Sequence, residues 1–319
     1  MSWVELSLNI THEAVDWVCT LLAATHYTDD IYVNKYTNID TSFPINPETP
    51  EPQWAFTIRL YLTSDVYIEE IANSLLSLQR AGLCSPLQEV VVQNKPQLGE
   101  VNPIIHRIGQ RFVVLTPEVP YTPTSDEIVL RLKTNLAFGS GLHPTTILNL
   151  QLLERHVVPK MKVLDLGSGS GILSIAMAKL GAYVLAVDND SVAVESTQDA
   201  VNRNGVEQQV TVMRGSLGRG SEMGHWMGIG TIDRVSTIEE TQTFDLITAN
   251  ILARIHITLA PDYRQALHRD RMPSGLLIAS GFDTDYEDAV NASFTEIGFE
   301  AIDREQLDEW VAIAYHLKR

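Results

Sequence analysis

Residues 161–190 read MKVLDLGSGSGILSIAMAKLGAYVLAVDND, and this stretch decides the fold. Lys162–Leu166 is a short apolar run that reads as a buried strand. The glycines Gly167, Gly169 and Gly171 follow it directly, then the helical pattern Ile172–Leu180, then a second strand, Tyr183–Asp188. A strand, a glycine loop, a helix and a second strand ending in an acid form the unit that holds nucleoside-bearing cofactors. Gly167 permits the tight turn, Gly169 lets a ligand approach the backbone, and Gly171 is expected to let the helix pack against the sheet. A dinucleotide fingerprint is G-x-G-x-x-G, with pyrophosphate on the helix N-terminus. Here the spacing is G-x-G-x-G, and Ile172 stands where the third dinucleotide glycine belongs. S-adenosylmethionine has no phosphate to hold, and its carboxylate and amine can lie along such a loop, so it is the expected cofactor. Asp188 is placed to accept the two ribose hydroxyls. Asp165, at the end of the first strand, is expected to hold the loop or the methionine amine.

The same pattern continues outward. From Thr145 onward apolar strands alternate with helices, the mark of a parallel sheet buried on both faces. The expected strands are Lys162–Leu166, Tyr183–Asp188, Val210–Arg214, Phe244–Ala249 and Gly275–Ser280. Two more, Phe299–Arg304 and Trp310–His316, are joined by a short turn and expected to be antiparallel. Leu217–Thr243 is Gly-rich, longer than most connections, and reads as an insertion. FDLITANILA, Phe244–Ala253, ends the fourth strand on Asn250. Ligands bind beyond the carboxyl ends of such strands, so Asn250 should share a crevice with Gly167 and Asp188. Its amide oxygen can accept from a substrate amine; capping of the following helix is the alternative role.

The first ninety residues have a different rhythm. Strand patterns at Trp3–Asn9, Ile31–Val33, Trp54–Leu62 and Glu89–Gln93 alternate with a helix after Thr11 and another from Asp65 to Arg80 that Gly82 ends. The stretch from Thr37 to Gln53 reads as a loop. A β-α-β-β-α-β order suggests a ferredoxin-like α+β domain with a binding role, since no catalytic constellation stands out in it. The expected division is a substrate-recognition domain over 1–93, a linker over 94–110 and a cofactor domain over 111–319. Strands at Arg111–Leu115 and Glu127–Leu132 would form a hairpin leading into that last domain.

A chain of 319 residues suits two domains. A net charge of −17 repels phosphates, so no direct nucleic acid binding is expected, while a basic protein would be attracted. No run of 18 apolar residues marks a membrane span, and MSWVELSLNI lacks the basic and apolar regions of a secretory signal. Two cysteines, Cys19 and Cys84, lack metal-ligand spacing and suit a reducing compartment. A cytoplasmic monomer without a metal is the expectation.

AFGSGLHPTT (Ala137–Thr146), VLDLGSGSGILSIAMAKLGA (Val163–Ala182), AVDND (Ala186–Asp190) and FDLITANILA together resemble the PrmA-type methyltransferases, which trimethylate amines of the eleventh large-subunit ribosomal protein. The resemblance covers about Leu136 to the C-terminus and extends in pattern to the N-terminal domain. It implies a class I methyltransferase, Rossmann-like seven-stranded sheet behind a ferredoxin-like domain. It implies cofactor contacts from Thr146, Gly167, Asp188 and Asn250, and a covering loop carrying Phe138. Thr145 and Thr146 have helix capping as the alternative role. His143 has the chemistry of a base, but in this resemblance it belongs to the loop motif. Several positions depart from the family pattern: Thr134-Asn135-Leu136 replaces Pro-Gly, Ser140 and Ser168 replace Thr and Cys, and Ser280-Gly281-Phe282-Asp283 replaces Ser-Gly-Ile-Leu. The segment 94–110 contains no tryptophan.

The implied activity is methyl transfer to lysine or N-terminal amines of a large-subunit ribosomal protein, a basic partner. An activated methyl needs position more than acid–base help, and no general base stands out. Another protein or a small amine remains open as substrate, given the tryptophan-free linker. A non-catalytic cofactor-binding assembly factor and a nicotinamide oxidoreductase are the alternatives of other classes.

Overall fold

The computed structural model describes residues 3–23, 25–27, 31–37, 54–63, 67–95, 105–116, 119–133, 141–222, 235–239, 241–268 and 275–318. Residues 38–53 of the expected loop, Asp65 at the expected start of the second helix, the covering Phe138 and residues 223–234 and 240 of the insertion lie outside them. The chain forms two compact units. One comprises Met1–His106, Leu115–Tyr121 and Lys133–His143; the other comprises Arg107–Val114, Thr122–Leu132 and Pro144–Arg319.

The first unit contains β1 (Trp3–Ile10), α1 (Ala14–Ala23), β2 (Tyr32–Lys35), β3 (Phe56–Leu62), α2 (Ile68–Arg80) and β4 (Gln88–Val92). Its sheet is ordered β2-β3-β1-β4 and is antiparallel at each pairing. That is the ferredoxin-like arrangement, with Leu6, Leu8 and Ile10 of β1 packed on Val15, Val18 and Leu22 of α1 and Ile71 and Leu75 of α2. The period-2 run in β1 and the 3.6-period run in α1 meet because each buries one face. Thr11 does not cap α1 with its hydroxyl, whose oxygen is buried without a partner; its carbonyl accepts from Ala14 instead.

In the second unit, but for the end residues His106 and Leu115, β5 (His106–Ile108), β6 (Phe112–Leu115) and β7 (Ile128–Arg131) make a small sheet in that order, one strand more than the expected hairpin. Then follow α3 (Pro144–His156), β8 (Lys162–Leu166), α4 (Ile172–Lys179), β9 (Tyr183–Asp188), α5 (Ser191–Asn204), β10 (Val210–Leu217), β11 (Ser236–Ile238), β12 (Leu246–Asn250), α6 (Ala253–Ala266), β13 (Leu276–Asp283), α7 (Thr284–Glu296), β14 (Phe299–Leu307) and β15 (Trp310–Leu317). The large sheet is ordered β11-β10-β9-β8-β12-β13-β15-β14. It has eight strands rather than seven, because Ser236–Ile238 of the insertion adds a parallel edge strand beside β10. Its order reverses direction at β8, and β14 and β15 are antiparallel, as their short turn requires.

Alternation along the strands sorts the core into two layers. Val163, Val184, Ala186, Leu246 and Ile278 pack on α3, α4 and α5. Leu164, Leu166, Val187, Ile247, Ala249 and Leu277 pack on α6 and α7. Each such fully buried Leu, Ile or Val contributes roughly 1.5–3 kcal/mol over the exposed state. By the same alternation Asp165, Asp188, Thr248, Asn250 and Ser280 take the α3–α4–α5 side, at the carboxyl ends of their strands.

Gly171, with φ of 82°, ends the glycine loop. A Cβ there would lie 3.0 Å from the Cα of Thr197 and 3.3 Å from the Cβ of Ala200, both in α5. Its role is therefore to bring α4 against α5, not against the sheet as the sequence suggested. Asp190 caps α5 by accepting from the Val192 N–H, and Gly205 closes it in the left-handed conformation.

Candidate active site

The loop between β8 and α4 is held from within. The amides of Gly167 and Ser168 both donate to the Val187 carbonyl, Gly169 donates to Asp188, and Gly171 donates to the Ser168 carbonyl. Four loop amides are thus already used, so the loop is not the open cradle of N–H groups that a pyrophosphate needs. Ile172, at the diagnostic position, is buried in the core. Thr197 of α5 braces the loop from below, its hydroxyl lying 2.9 Å from Ser168 Oγ and 3.0 Å from the Gly169 carbonyl.

Asp188 lies at the end of β9. One carboxylate oxygen accepts from Gly169 N–H at 3.0 Å and the other from Asp190 N–H at 3.0 Å. Each oxygen keeps a second lone pair for a ribose hydroxyl. Burial pushes its pKa up to about 6, against the pull of these backbone donors. Asp165 is fully buried; Oδ2 accepts from Ser174 Oγ of α4, while Oδ1 has no partner. Burial pushes its pKa up to about 7, opposed by the Ser174 hydrogen bond and reinforced by the Asp188 charge.

Asn250 ends β12 and donates from Nδ2 to Thr146 Oγ1 of α3 at 3.3 Å. Its Oδ1 is buried with no partner. It does not cap α6: Leu252 holds the capping position and makes no side-chain cap. Thr146 is buried in the first turn of α3, whose first residue is Pro144, a residue suited to that place because its missing N–H would have no helical partner. Thr145 is buried in the same turn.

His143 does not belong to the second unit. It is buried in the first, as is Leu142, which joins that unit's apolar core. Burial, then the neighbouring His12 charge, lowers its pKa to about 3, so its imidazole is neutral and too weakly basic to take a proton from an ammonium group.

Behind Asn250 is a set of buried polar groups that the sequence reading missed. Asn149 of α3 accepts at Oδ1 from Thr248 Oγ1 at 3.0 Å and donates from Nδ2 to Ser280 Oγ at 2.8 Å. The Ser280 carbonyl accepts from Ile251 N–H at 3.0 Å and lies 2.9 Å from His256 Nε2. Tyr263 OH lies 3.3 Å from His256 Nδ1. Burial lowers the His256 pKa to about 4, so the ring is neutral and donates from Nε2 while accepting at Nδ1. Gly281, with φ of 93°, makes the bulge where the β13–β15 register shifts, directly against the Ile251 backbone. One signal was visible in the sequence: Asn149 is an amide three residues beyond Thr146, set among Ile147, Leu148, Leu150, Leu152 and Leu153 of α3.

Two buried acceptors lacking partners, a pair of carboxylates with raised pKa values and a loop with spent amides fit a cation carrying a ribose. They do not fit a phosphate ester. Among the described residues no cluster of three or more His, Cys, Asp or Glu is arranged to hold a metal.

Comparison with known proteins bears on the same point. The family description "Ribosomal protein L11 methyltransferase (PrmA)" matches residues 2–318. The chain belongs to this family. A relative named ribosomal protein L11 methyltransferase in Chloroflexus aurantiacus is 39% identical, with 98% of each chain covered. One of the same name in Herpetosiphon aurantiacus is 35% identical, with 99% of each covered. The crystal structure of a ribosomal protein L11 methylase from Lactobacillus delbrueckii subsp. bulgaricus is 27% identical with a TM-score of 0.52, covering 67% of this chain and 99% of that one. The protein is an S-adenosylmethionine-dependent protein methyltransferase, on a Rossmann-like sheet as the glycine loop implied. The nicotinamide alternative and the non-catalytic one fall away.

Proposed function

We propose that this enzyme methylates amines of ribosomal protein L11, lysine side chains or the N-terminus, and that Asn250 receives the amine. The carrying observation is the Asn250 amide oxygen, which is buried, without a partner and at the carboxyl end of the strand beside β8. Bound S-adenosylmethionine supplies a methyl group already activated on a sulfonium. Asp188 would hold the ribose, Asp165 Oδ1 the methionine ammonium, and Gly167 and Gly169 the approach of the cofactor to the backbone. Thr146 orients the Asn250 amide by accepting from its Nδ2, which leaves Oδ1 to accept from the incoming amine. An amine N–H held there would leave the nitrogen lone pair free for the activated methyl group.

A lysine amine has a pKa of about 10.4 and must lose a proton before it attacks. Removal from water favours the neutral amine, and an amide oxygen supports it without offering a compensating charge. Asp165 and Asp188 are committed to the cofactor in this reading, and His143 is too weak a base, so the proton leaves to water.

The family relatives support L11 as the substrate, since both bear that name. A net charge of −17 supports a basic protein partner over nucleic acid. The ferredoxin-like unit is proposed as the substrate-recognition domain. Buried, unlinked Cys19 and Cys84 support a cytoplasmic site of action. The direct test is incubation with labelled S-adenosylmethionine and purified L11, followed by mass spectrometry of the modified amines. Labelling of L11 is expected. Intact cofactor binding with no label on L11, but label on another protein in lysate, would replace this substrate.

A further inference from the structure

We propose that Asn149 is a positioning residue for methyl transfer, fixing the place of the Asn250 amide oxygen through Thr248 and Ser280. The inference rests on the reading of Asn250 as the group that receives the amine.

Asn149 and Thr146 lie three residues apart in α3 and so share a face of it. Thr146 touches Asn250 itself, and Asn149 touches the residues on either side of it. Thr248 precedes Asn250 by two positions on the same face of β12. Ser280 stands directly opposite Asn250 in the β12–β13 register. A planar amide offers its acceptor and donor in a fixed relation. Asn149 uses one toward each strand, so it sets the spacing of β12 and β13 and the seat of α3 at once. Ser280 then passes the constraint on, since its carbonyl binds the Ile251 N–H and His256, which Tyr263 holds from the far side. Asn250 is thereby fixed from α3 on one layer and from α6 on the other.

A purely apolar core would serve stability here as well. Asn149, Thr248 and Ser280 are all fully buried, and burying polar groups is unfavourable unless each is matched. What the matched set provides instead is a single register, since hydrogen bonds fail when a strand end shifts by a fraction of an ångström whereas apolar contacts tolerate it. The loop that receives the cofactor is braced by other groups: Thr197 on Ser168 and Gly169, Ser174 on Asp165, and Gly169 on Asp188. Loss of Asn149 should therefore slow transfer while sparing cofactor binding.

The test compares wild type, Asn149→Leu, Ser280→Ala, Asn250→Ala and the Asn149→Leu/Asn250→Ala pair. Three quantities are read on the full chain: single-turnover transfer to the protein substrate at saturating labelled S-adenosylmethionine, cofactor Kd by calorimetry, and Tm. Asn149→Leu is expected to slow transfer by about tenfold or more, because displaced reacting groups lose rate steeply. Ser280→Ala, which deletes one hydroxyl and keeps the fold if the larger change does not, should slow it about three- to tenfold. Cofactor Kd should stay within about threefold for both, and the double variant should be no slower than Asn250→Ala alone. Three results overturn the proposal. One is a folded Asn149→Leu or Ser280→Ala with transfer within about twofold of wild type. Another is a cofactor Kd that weakens in step with the rate. The last is a double variant slowed relative to Asn250→Ala by the full factor seen in the wild-type background. If Asn250→Ala itself transfers at the wild-type rate, the reading of Asn250 fails first; if it is slow and Asn149→Leu is not, only the positioning role fails.

Discussion

Replacing Gly281 by alanine should damage catalysis more than it damages cofactor binding. Gly281 has a φ of 93°, a conformation that costs an L side chain about 1–2 kcal/mol. A Cβ there would also lie 2.4 Å from the Ile251 carbonyl oxygen and 2.6 Å from its nitrogen, where real contacts begin at 3.0 Å. These atoms are backbone, and the Ile251 N–H is tied to the Ser280 carbonyl, so no side chain can swing aside. Relief requires the Asn250–Ile251 peptide, which carries that nitrogen, to retreat by about 0.4 Å and the Ile251 carbonyl beyond it by about 0.6 Å, the differences between 3.0 Å and the 2.6 and 2.4 Å contacts. Reacting groups are useful only within about 0.5 Å of their productive places, and a 1 Å error can lose about a hundredfold in rate. Single-turnover transfer should therefore fall about 10- to 100-fold. Conformational strain and the collision together should remove about 2–4 kcal/mol of stability, lowering Tm by roughly 5–15 °C. Cofactor Kd, measured by calorimetry, should change little, because Asp188 and the glycine loop sit on β8 and β9. Gly298→Ala is the matched control: its φ is 95° but no atom lies within 4 Å of the new Cβ. It should lose only the conformational part of the stability and none of the rate. Gly281→Ala at the wild-type rate, or Gly298→Ala as slow as Gly281→Ala, would refute the assignment of Gly281 to holding the Asn250 strand end.

Asp188→Asn should weaken S-adenosylmethionine about 10- to 100-fold, the worth of hydrogen bonds to a charged acceptor, and calorimetry giving a Kd within about threefold of wild type would remove Asp188 from the ribose site. Cofactor binding should tighten as pH rises from about 5.5 to 7.5, because burial raises the Asp188 and Asp165 pKa values to about 6 and 7 and a cationic ligand favours their ionised forms. The sign for the unliganded chain is opposite: a carboxyl whose folded pKa lies above its ordinary 3.8 favours the fold while protonated, so this contribution is lost as pH climbs from about 4 through 7. The rise in Tm that the cofactor produces should accordingly be larger at the upper pH, and an equal rise at both would count against both carboxylates. Gly171→Ala should cost about 2–3 kcal/mol, since its Cβ would lie only 3.0 Å from Thr197 Cα at a φ of 82°, and the displaced α5 brace should loosen the cofactor as well; denaturant melts and Kd values on one preparation check both.

Much of this was legible along the chain because the signals are local. Spacing of three glycines fixes a turn, and Ile172 in place of the third dinucleotide glycine speaks against a phosphate. Apolar runs for β8, β9 and β12 gave their positions to within two residues. Asp188 and Asn250 were found because a residue at the carboxyl end of a parallel strand is placed by the topology alone. Other features were not local. The eighth strand arises from Ser236–Ile238, only three residues that become a strand by lying beside β10. His143 has the chemistry of a base, and its burial, with the His12 charge beside it, makes it too weak a one to take a proton from an ammonium group.

The sequence by itself determined the cofactor class, the sheet and the chain positions of the acid and the amide, because strand, turn and helix patterns repeat within a few residues of one another. Tertiary structure decided what those groups experience. Asp165 and Asp188 become weak acids only because the layers around them exclude water. Gly171 meets α5, Asn149 meets Ser280 across 131 positions of chain, and Gly281 meets Ile251, contacts that no local pattern encodes. Hydrogen bonding and desolvation depend on distance in space, and the chain fixes that distance only once both layers have closed on the sheet.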